Sequence, residues 1–422
     1  MKALHDPILE DGIPFTAYFN GRLLSGEDLA RDQEGNREAR RRIGQAIGEG
    51  VAFGLEVFET PGQSTSTSPI VTVRPGVAIN RRGQVLALRS PVDLNLVRAV
   101  SASTTDSAAT TFKVCDEPQP GVYVVGQGVY VLTMACAEGG QGRAPVSGLG
   151  NTVASCNVRS MVEGVRFRLV QPVVNPFVLA DPPRLRNRVA AVALGLSDRL
   201  TAYRDPMRPA PKAYGLVDSL RAAGEMTDCD VPLGLLHWTP SDGITFVDIW
   251  SVRRRPTRRG EDARWPLWFG DRVASEAEAT FQQFQEQIDD IAASGEDAST
   301  IVATDRFEYL PPLGMLPLQL STRPGFDPRR FFGADRMSRD VAYTDGALLR
   351  GLLRESFAHD PIDLSVETRL RLYLVYDNVQ AVSVGQAVTP ILVFASRTLP
   401  HRGVARYGFG RWEQSRFAPR VI

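Results

Sequence analysis

Residues 70–96 read IVTVRPGVAINRRGQVLALRSPVDLNL and contain the clearest structural pattern in the chain. Short apolar runs are separated by the turn dipeptide Pro75-Gly76 and by a second turn at residues 80–83. Alternation of apolar and polar residues with a period of two is typical of half-buried strands, and a glycine-containing turn between two such runs favours a hairpin. The segment therefore predicts antiparallel β-structure.

Similar strand patterns recur along the chain and are interrupted by two helical patterns. Strands are predicted at residues 122–134, 162–170, 231–238, 244–252, 370–376 and 391–395, and helices at about 25–47 and 274–293. We expect a mainly β protein with some helices, of the α+β class, with antiparallel, sandwich-like sheets. A length of 422 residues favours two to four domains. The expected parts are an N-terminal attachment segment with a helix (1–60), β-rich domains (61–260), a helical connector (261–305) and a C-terminal β-rich domain (306–422).

The second helical pattern has two interpretations. Apolar residues recur there at spacings of four and three, which is the spacing of a coiled-coil seam. The helix can lie on its own domain with this seam inside, or it can form an oligomer. The second interpretation makes four residues candidates for self-association: Phe281, Phe284, Ile288 and Ile291.

Charge and composition argue against several classes of function. The formal net charge is zero, whereas nucleic-acid-binding domains usually carry a basic excess. All but three of the 48 basic residues are arginines, a residue type enriched at protein interfaces. We expect neither a transmembrane span nor a signal peptide, because no apolar run is long enough. The four cysteines, which form no CxxC pair, are expected to be buried and reduced, with a disulfide left open: Cys115, Cys136, Cys156 and Cys229.

The sequence contains no recognisable catalytic or metal-binding arrangement. The four histidines are far apart and show no zinc-ligand spacing: His5, His237, His359 and His401. The nearest acid pairs, Asp242 with Asp248 and Asp360 with Asp363, lie at predicted turns, where such residues are common. We therefore expect no enzyme activity, cofactor or metal. The basic cluster Arg253 to Arg259 is better suited to acidic protein surfaces than to nucleic acid, since no aromatic residues are interleaved.

The N-terminal region starts its helix with strong local signals. Residues 18–33 read YFNGRLLSGEDLARDQ. Asn20-Gly21 favours a turn, and Ser25 can cap the first helical turn, where Glu27 and Asp28 suit the helix dipole. The middle of this helix is nearly all polar, so it is either solvated or held by ion pairs to a partner.

Residues 18–33 also resemble a signature found near the N-terminus of structural proteins of contractile phage tails and phage-tail-like injection systems. Its pattern begins with an aromatic residue, Phe, Asn or Asp, Gly, any residue, Leu, Leu, and Ser or Thr. Two residues of any type follow, then Asp, then Leu or Phe, and after two or three further residues Gln. Three later runs are similar to runs of that family: Pro75-Gly76-Val77-Ala78-Ile79 with Gly83, Val231 to Leu235 followed by Phe246 to Asp248 and Arg253-Arg254, and Leu310 to Pro317. The resemblance spans roughly residues 18–320.

This resemblance implies a baseplate-associated or tail-fibre-adaptor protein. Such a protein would assemble in several copies in the bacterial cytoplasm, become part of the particle or virion, and dock through its N-terminal region on other baseplate or tail proteins. We expect a homo-oligomer, and the candidate docking residues are Phe19, Leu23, Leu24, Asp28 and Gln33.

Two alternatives remain open at this point. One is a tail-fibre module that binds a cell-surface glycan or receptor through aromatic residues such as Trp265, Trp268 and Trp412. The other, which the lack of a catalytic arrangement disfavours, is a glycan-cleaving enzyme.

Overall fold

The computed structural model describes residues 9, 11–97, 124, 127–143, 158–196, 214–257, 271–321, 323–376 and 390–399. Helices and strands each account for 32% of the described residues, and the strands form several antiparallel sheets. The predicted α+β, multidomain class is therefore confirmed. Among the described residues, no helix combines the length and the apolar character needed to cross a membrane.

The secondary-structure elements carry labels in chain order. The helices are α1 (Gly26–Ile47), α2 (Pro176–Leu179), α3 (Leu185–Leu194), α4 (Gly215–Ala222), α5 (Asp271–Ala293), α6 (Ala303–Arg306), α7 (Pro328–Phe332) and α8 (Gly346–Ser356). The strands are β1 (Gly50–Gly54), β2 (Val57–Glu59), β3 (Ile70–Val73), β4 (Gly76–Ile79), β5 (Val85–Leu88), β6 (Val92–Asn95), β7 (Gly128–Arg143), β8 (Val158–Val170), β9 (Val231–Thr239), β10 (Gly243–Asp248), β11 (Tyr309–Leu310), β12 (Leu313–Pro317), β13 (Met337–Asp345), β14 (Ile362–Asp363), β15 (Leu370–Tyr376) and β16 (Ile391–Ala395).

The segment that opened the sequence analysis contributes strands to two different sheets. β4 and β5 form the predicted hairpin around residues 80–83 and pair with β1, in the order β1-β4-β5. β3 instead lies between β2 and β6 in a second three-stranded sheet. Val71 and Val73 of one sheet and Ala78 and Leu86 of the other share one core, so the two sheets pack on each other.

A four-stranded sheet in the order β10-β9-β7-β8 is covered on both faces. Tyr130 and Leu132 of β7 point into the core formed with the two small sheets. Val129 and Val131, the alternate residues of the same strand, pack against α3 and α4. Because both faces are buried, β7 begins with a continuous apolar run instead of an alternating one. We call this assembly of the described residues between 50 and 257 the N-terminal body.

A second assembly, the C-terminal body, comprises the described residues between 271 and 399. Its four-stranded sheet has the order β12-β16-β15-β13, in which β13 and β15 are parallel and the other neighbours antiparallel. α5 packs on one face of this sheet, where Phe284 and Ile288 join Leu316 and Phe394 in a large core.

The packing of α5 places the four residues considered for self-association in the cores of its own chain. Phe281, Phe284, Ile288 and Ile291 are all buried, with exposed fractions between 0% and 8%. The ring of Phe284 lies 5.2 Å from that of Phe307 and 5.5 Å from that of Phe394, measured between centroids. The first interpretation is the one the structure shows: α5 lies on its own domain, and its seam is part of the core.

The cores join segments that the sequence analysis divided differently. Val51, Leu55 and Val57 belong to the core of the N-terminal body together with residues of β3 and β9. α5 shares its core with strands of the C-terminal body. α1 lies outside the core of the N-terminal body, whereas β1 and β2, which follow it in the chain, belong to that body.

α1 rests on the β4–β5 turn through a glycine pair. A β-carbon at Gly44 would lie 2.1 Å from the carbonyl oxygen of Gly83, and one at Gly83 would lie 1.9 Å from that of Arg41. Gly83 also has a φ of +79°, which glycine adopts without strain. Arg37 also forms ion pairs with Glu138 of β7 and Glu163 of β8. These two residues face each other where β7 and β8 pair as a long two-stranded ribbon, which we call the β7–β8 ribbon.

One cysteine departs from the reduced state expected for all four. Cys229 is disulfide-bonded, and Cys136 is reduced, with its thiol donating to Oε1 of Gln84. Cys115 and Cys156 lie outside the described residues.

Candidate docking surface

The segment before α1 exposes a group of large apolar side chains. We call this group the apolar patch; its members are Phe15, Tyr18, Phe19, Leu23 and Leu24. Phe19 is 68% exposed and Leu23 is 92% exposed. Soluble proteins rarely expose large contiguous apolar patches unless a partner covers them. The patch includes three of the five docking residues predicted from the sequence.

Polar contacts fix the backbone that carries the patch. The hydroxyl of Thr16, a buried residue, donates to the carbonyl oxygen of Asp28 at 2.9 Å. Arg22 donates to the carbonyl oxygen of Ala17 and to Oδ1 of Asp28, both at 2.6 Å. The segment is thus tied to the first turn of α1 at two points, and the bond to Ala17 fixes the segment internally. A surface that is ordered before binding loses less entropy when a partner binds.

A glycine in the middle of α1 lets the same segment approach closely. A β-carbon at Gly35 would lie 2.9 Å from the carbonyl oxygen of Pro14. The sequence analysis did not identify this contact. Its signal was a glycine within a charged helical stretch, where glycine costs about 1 kcal/mol relative to alanine and therefore often marks a close approach.

Asp28 is committed to its own chain. Its backbone N–H bonds to the hydroxyl of Ser25, and its carboxylate accepts the backbone N–H of Ser25 at 3.1 Å, which completes a capping box. The hydrogen bond from the Ser25 backbone, assisted by Arg22, lowers the pKa of Asp28. The predicted cap at Ser25 is confirmed. Of the two polar docking candidates, Gln33 is exposed on α1, whereas Asp28 serves the helix cap.

A charged cavity lies where the N-terminal body meets α5. Its volume is about 100 Å³. On one side Arg221 bonds Glu49 at 2.7 Å and Arg81 bonds the same carboxylate at 2.8 Å. On the other, Arg272 bonds Asp218 at 2.7 Å and Glu276 at 2.8 Å. These acids and arginines pair with one another. We therefore interpret the cavity as a place where ion pairs hold α5 against the N-terminal body.

A second charged contact joins the two bodies. Arg186 of α3 contacts Asp290 of α5, lies 3.3 Å from Glu286 of the same helix, and is 3.8 Å from Asp248 at the end of β10. One arginine thus faces three acids. Burial, followed by repulsion from Asp248, Asp290 and Asp289, raises the pKa of Glu286 to about 7 despite Arg186.

This raised pKa gives a pH-dependent stability. An ordinary glutamate ionises near 4.5, whereas folded Glu286 ionises near 7, so its contribution to stability falls as the pH rises from about 4.5 to about 7. Glu286→Gln is expected to raise the melting temperature at pH 8 and to have less effect at pH 5. The gain is modest, because the side chain is 38% exposed.

Calorimetry at the two pH values measures this difference. Glu278→Gln is the matched control, since Glu278 also lies on α5 and is 40% exposed. A melting-temperature gain for Glu286→Gln that is equal at pH 5 and pH 8 would contradict the assignment.

His237 and two of the paired acids of the sequence analysis, Asp242 and Asp363, take structural positions. His237 is buried beside Thr245 at 2.7 Å, and burial lowers its pKa. Asp242 accepts hydrogen bonds within its turn, from Thr239 and Ser241. Asp363 does the same for Ser365. No group of three or more acids, histidines or cysteines suited to a metal ion is present in the described ranges.

The basic cluster is largely turned inward. Arg253 donates to the carbonyl oxygen of Gly54 at 2.7 Å. Arg254 donates to backbone carbonyls of its own turn, including that of Trp250 at 2.7 Å. Arg255 lies 3.3 Å from Glu278 of α5. These three side chains fasten the turn to neighbouring elements; Arg258 and Arg259 lie outside the described residues, as do His5, His401, Trp265, Trp268 and Trp412.

No family model matches the chain, and no curated protein matches its sequence.

Proposed function

We propose that this protein is a structural component of a phage-tail-like contractile particle, in which it docks at the baseplate or tail through the apolar patch. The observation that supports this most is the patch itself: five large apolar side chains exposed on a backbone that polar contacts hold in place. The particle setting comes from the resemblance of residues 18–33 to the N-terminal signature of structural tail proteins.

The chemistry of the patch indicates a protein partner. Aromatic and leucine side chains are the usual anchors of protein interfaces, and each gains most when it enters an apolar pocket of the partner. Arg22 lies over the ring of Phe19, with its guanidinium carbon 5.9 Å from the ring centroid. We therefore expect the partner to present apolar pockets with an acidic group near Arg22.

Multicopy assembly follows from the same proposal. In a particle, several copies of one chain bind around a symmetric core, so that moderate individual interfaces combine into a stable whole. Association between copies of this chain is part of the proposed function.

The double variant Phe19→Ser/Leu23→Ser tests the docking role. Expressed in the native host in place of the wild-type chain, it is expected to fold but to be missing from purified particles, because the removed side chains are exposed and contribute little to the core. Mass spectrometry of the particles measures incorporation, and circular dichroism of the purified variant checks the fold.

A matched control removes exposed apolar groups elsewhere. Phe53→Ser/Val173→Ser changes residues that are 64% and 96% exposed and lie outside the patch, and it is expected to leave incorporation unchanged. If the patch variant were incorporated as well as the wild type, the docking role would be wrong. If the host made no contractile particle that contains this chain, the proposed location in such a particle would be wrong.

A further inference from the structure

α1 carries an exposed stripe with coiled-coil spacing. Its residues follow one another at intervals of four, three, four, three and four: Leu29, Gln33, Asn36, Arg40, Ile43 and Ile47. We call this set the α1 seam. All six side chains are exposed, and Leu29, Ile43 and Ile47 are exposed by 51%, 62% and 50%. Such spacing places the residues along one side of a helix, where a second helix can pack.

The rest of the helix surface is partly occupied. Gly44 rests on Gly83, Arg37 reaches the β7–β8 ribbon, and Gly35 contacts the segment around Pro14. Among the described residues these contacts leave the α1 seam uncovered except at Arg40, which lines a groove with Gly83 and Glu138. Small residues flank it, namely Ala30, Ala39 and Ala46, and these permit close approach of another backbone.

The charges of α1 are separated along its length. Residues 26–35 contain four acids and one arginine, and residues 36–47 contain four arginines and one glutamate. Two α1 helices in parallel would place like charges side by side. Two antiparallel helices would place the acidic half of each against the basic half of the other, which is favourable.

We propose that two copies of this chain associate through their α1 seams as an antiparallel, two-fold symmetric helix pair centred near residue 38. This proposal rests on the part of the proposed function in which copies of the chain associate, and it uses a surface distinct from the apolar patch. A two-fold contact is self-complementary, so one seam serves both copies.

The antiparallel register brings apolar residues together at its ends. Leu29 faces Ile47 of the other copy at both ends of the pair, and the next layer inward places Ile43 opposite Gln33. Near the centre Asn36 faces Arg40. Because the Asn36 amide group already donates to the carbonyl oxygen of Asp32 at 2.9 Å, its oxygen is oriented to accept from the arginine. A polar central layer of this kind fixes register at some cost in stability.

The expected dimer is weak. A stretch from residue 29 to residue 47 is about 27 Å long at 1.5 Å per residue, and a single pair of such helices is a small interface by the standard of specific complexes, which bury about 1,200–2,000 Å². We therefore expect dissociation in the micromolar range. Within a particle, tethering on a common core would raise the effective concentration of the chains.

Sedimentation of the purified full chain tests association. The wild type is expected to pass from monomer to dimer as its concentration rises through the micromolar range. Ile43→Asp/Ile47→Asp is expected to stay monomeric, since it places acids in the seam. Val173→Asp, at a position 96% exposed and outside the seam, is expected to dimerise like the wild type. A wild type that remains monomeric, or an unchanged dimer in the seam variant, overturns the proposal.

Cysteine cross-linking tests the orientation. An oxidised mixture of Leu29→Cys and Ile47→Cys chains is expected to form a disulfide between copies, whereas Leu29→Cys alone is not, because antiparallel pairing holds its two thiols far apart. Wild-type chain treated identically controls for Cys136. The reverse pattern would show a parallel pair and overturn the proposal. Phe19→Ser/Leu23→Ser must still dimerise, so a failure of the docking role and a failure of the seam give different results.

Discussion

Asp230→Ala is expected to destabilise the N-terminal body by about 3–5 kcal/mol, which is the usual cost of removing one partner from a buried ion pair. Asp230 is fully buried. Its carboxylate accepts hydrogen bonds from Arg168 at 2.8 and 2.6 Å and from the backbone N–H of Thr227 at 2.7 Å. The variant would leave a buried guanidinium without its carboxylate.

Urea unfolding of the full chain measures this loss. Asp228→Ala is the matched control, because Asp228 lies two residues away, is 52% exposed and is 3.9 Å from Arg81. Its effect is expected to stay within about 0.5 kcal/mol. Equal losses in the two variants would mean that the pair with Arg168 does not hold the strands β8 and β9 together.

Phe284→Ala is expected to destabilise the C-terminal body by about 3–5 kcal/mol, through lost burial and the cavity left behind. Phe284 is 1% exposed and packs against Phe307 and Phe394. A residue at an interface between copies would instead change the mass of the assembly and leave the stability of the monomer nearly unchanged.

Thermal unfolding together with light scattering separates these outcomes. Phe53→Ala removes a phenyl ring that is 64% exposed and is expected to change the melting temperature little. If Phe284→Ala melted like the wild type but had a lower mass, α5 would be an oligomerisation helix after all.

Local features of this fold were predictable because their causes are local. The turn at residues 80–83 depends on glycine and asparagine within four positions, and the cap at Ser25 depends on the next three residues. The pairing of strands was not predictable, since a period of two identifies a strand but does not name its neighbour. Thus β3 and β4, adjacent in sequence, enter different sheets.

The two helices show the limit of a spacing argument. α5 and α1 both carry a seam with intervals of four and three, yet the seam of α5 is buried and that of α1 is exposed. The spacing of apolar residues shows which side of a helix packs against another element. It does not show whether that element belongs to the same chain. The composition of the seams differs in the corresponding way: α5 has large apolar residues throughout, whereas Gln33, Asn36 and Arg40 occupy the middle of α1.

The docking candidates predicted from the sequence differ in their surroundings. Phe19, Leu23 and Leu24 are exposed as the docking interpretation requires, whereas Asp28 caps a helix. The anchoring of the segment by Thr16 and Gly35 involves residues 12 to 21 positions apart. Contacts at such separations leave no periodic trace in a sequence.

The glycine contact between α1 and the β4–β5 turn bears on the timing of synthesis. α1 leaves the ribosome early, but the turn beneath it is tied by the backbone N–H of Arg81 to the carbonyl oxygen of Asp228 at 3.1 Å. At translation speeds of about 5–20 residues per second, residues 44 and 228 are made on the order of 10–40 s apart. During that interval the turn beneath the helix lacks its bond to Asp228. A partner that must touch both the patch and the body beside it can therefore engage only after translation has passed residue 228.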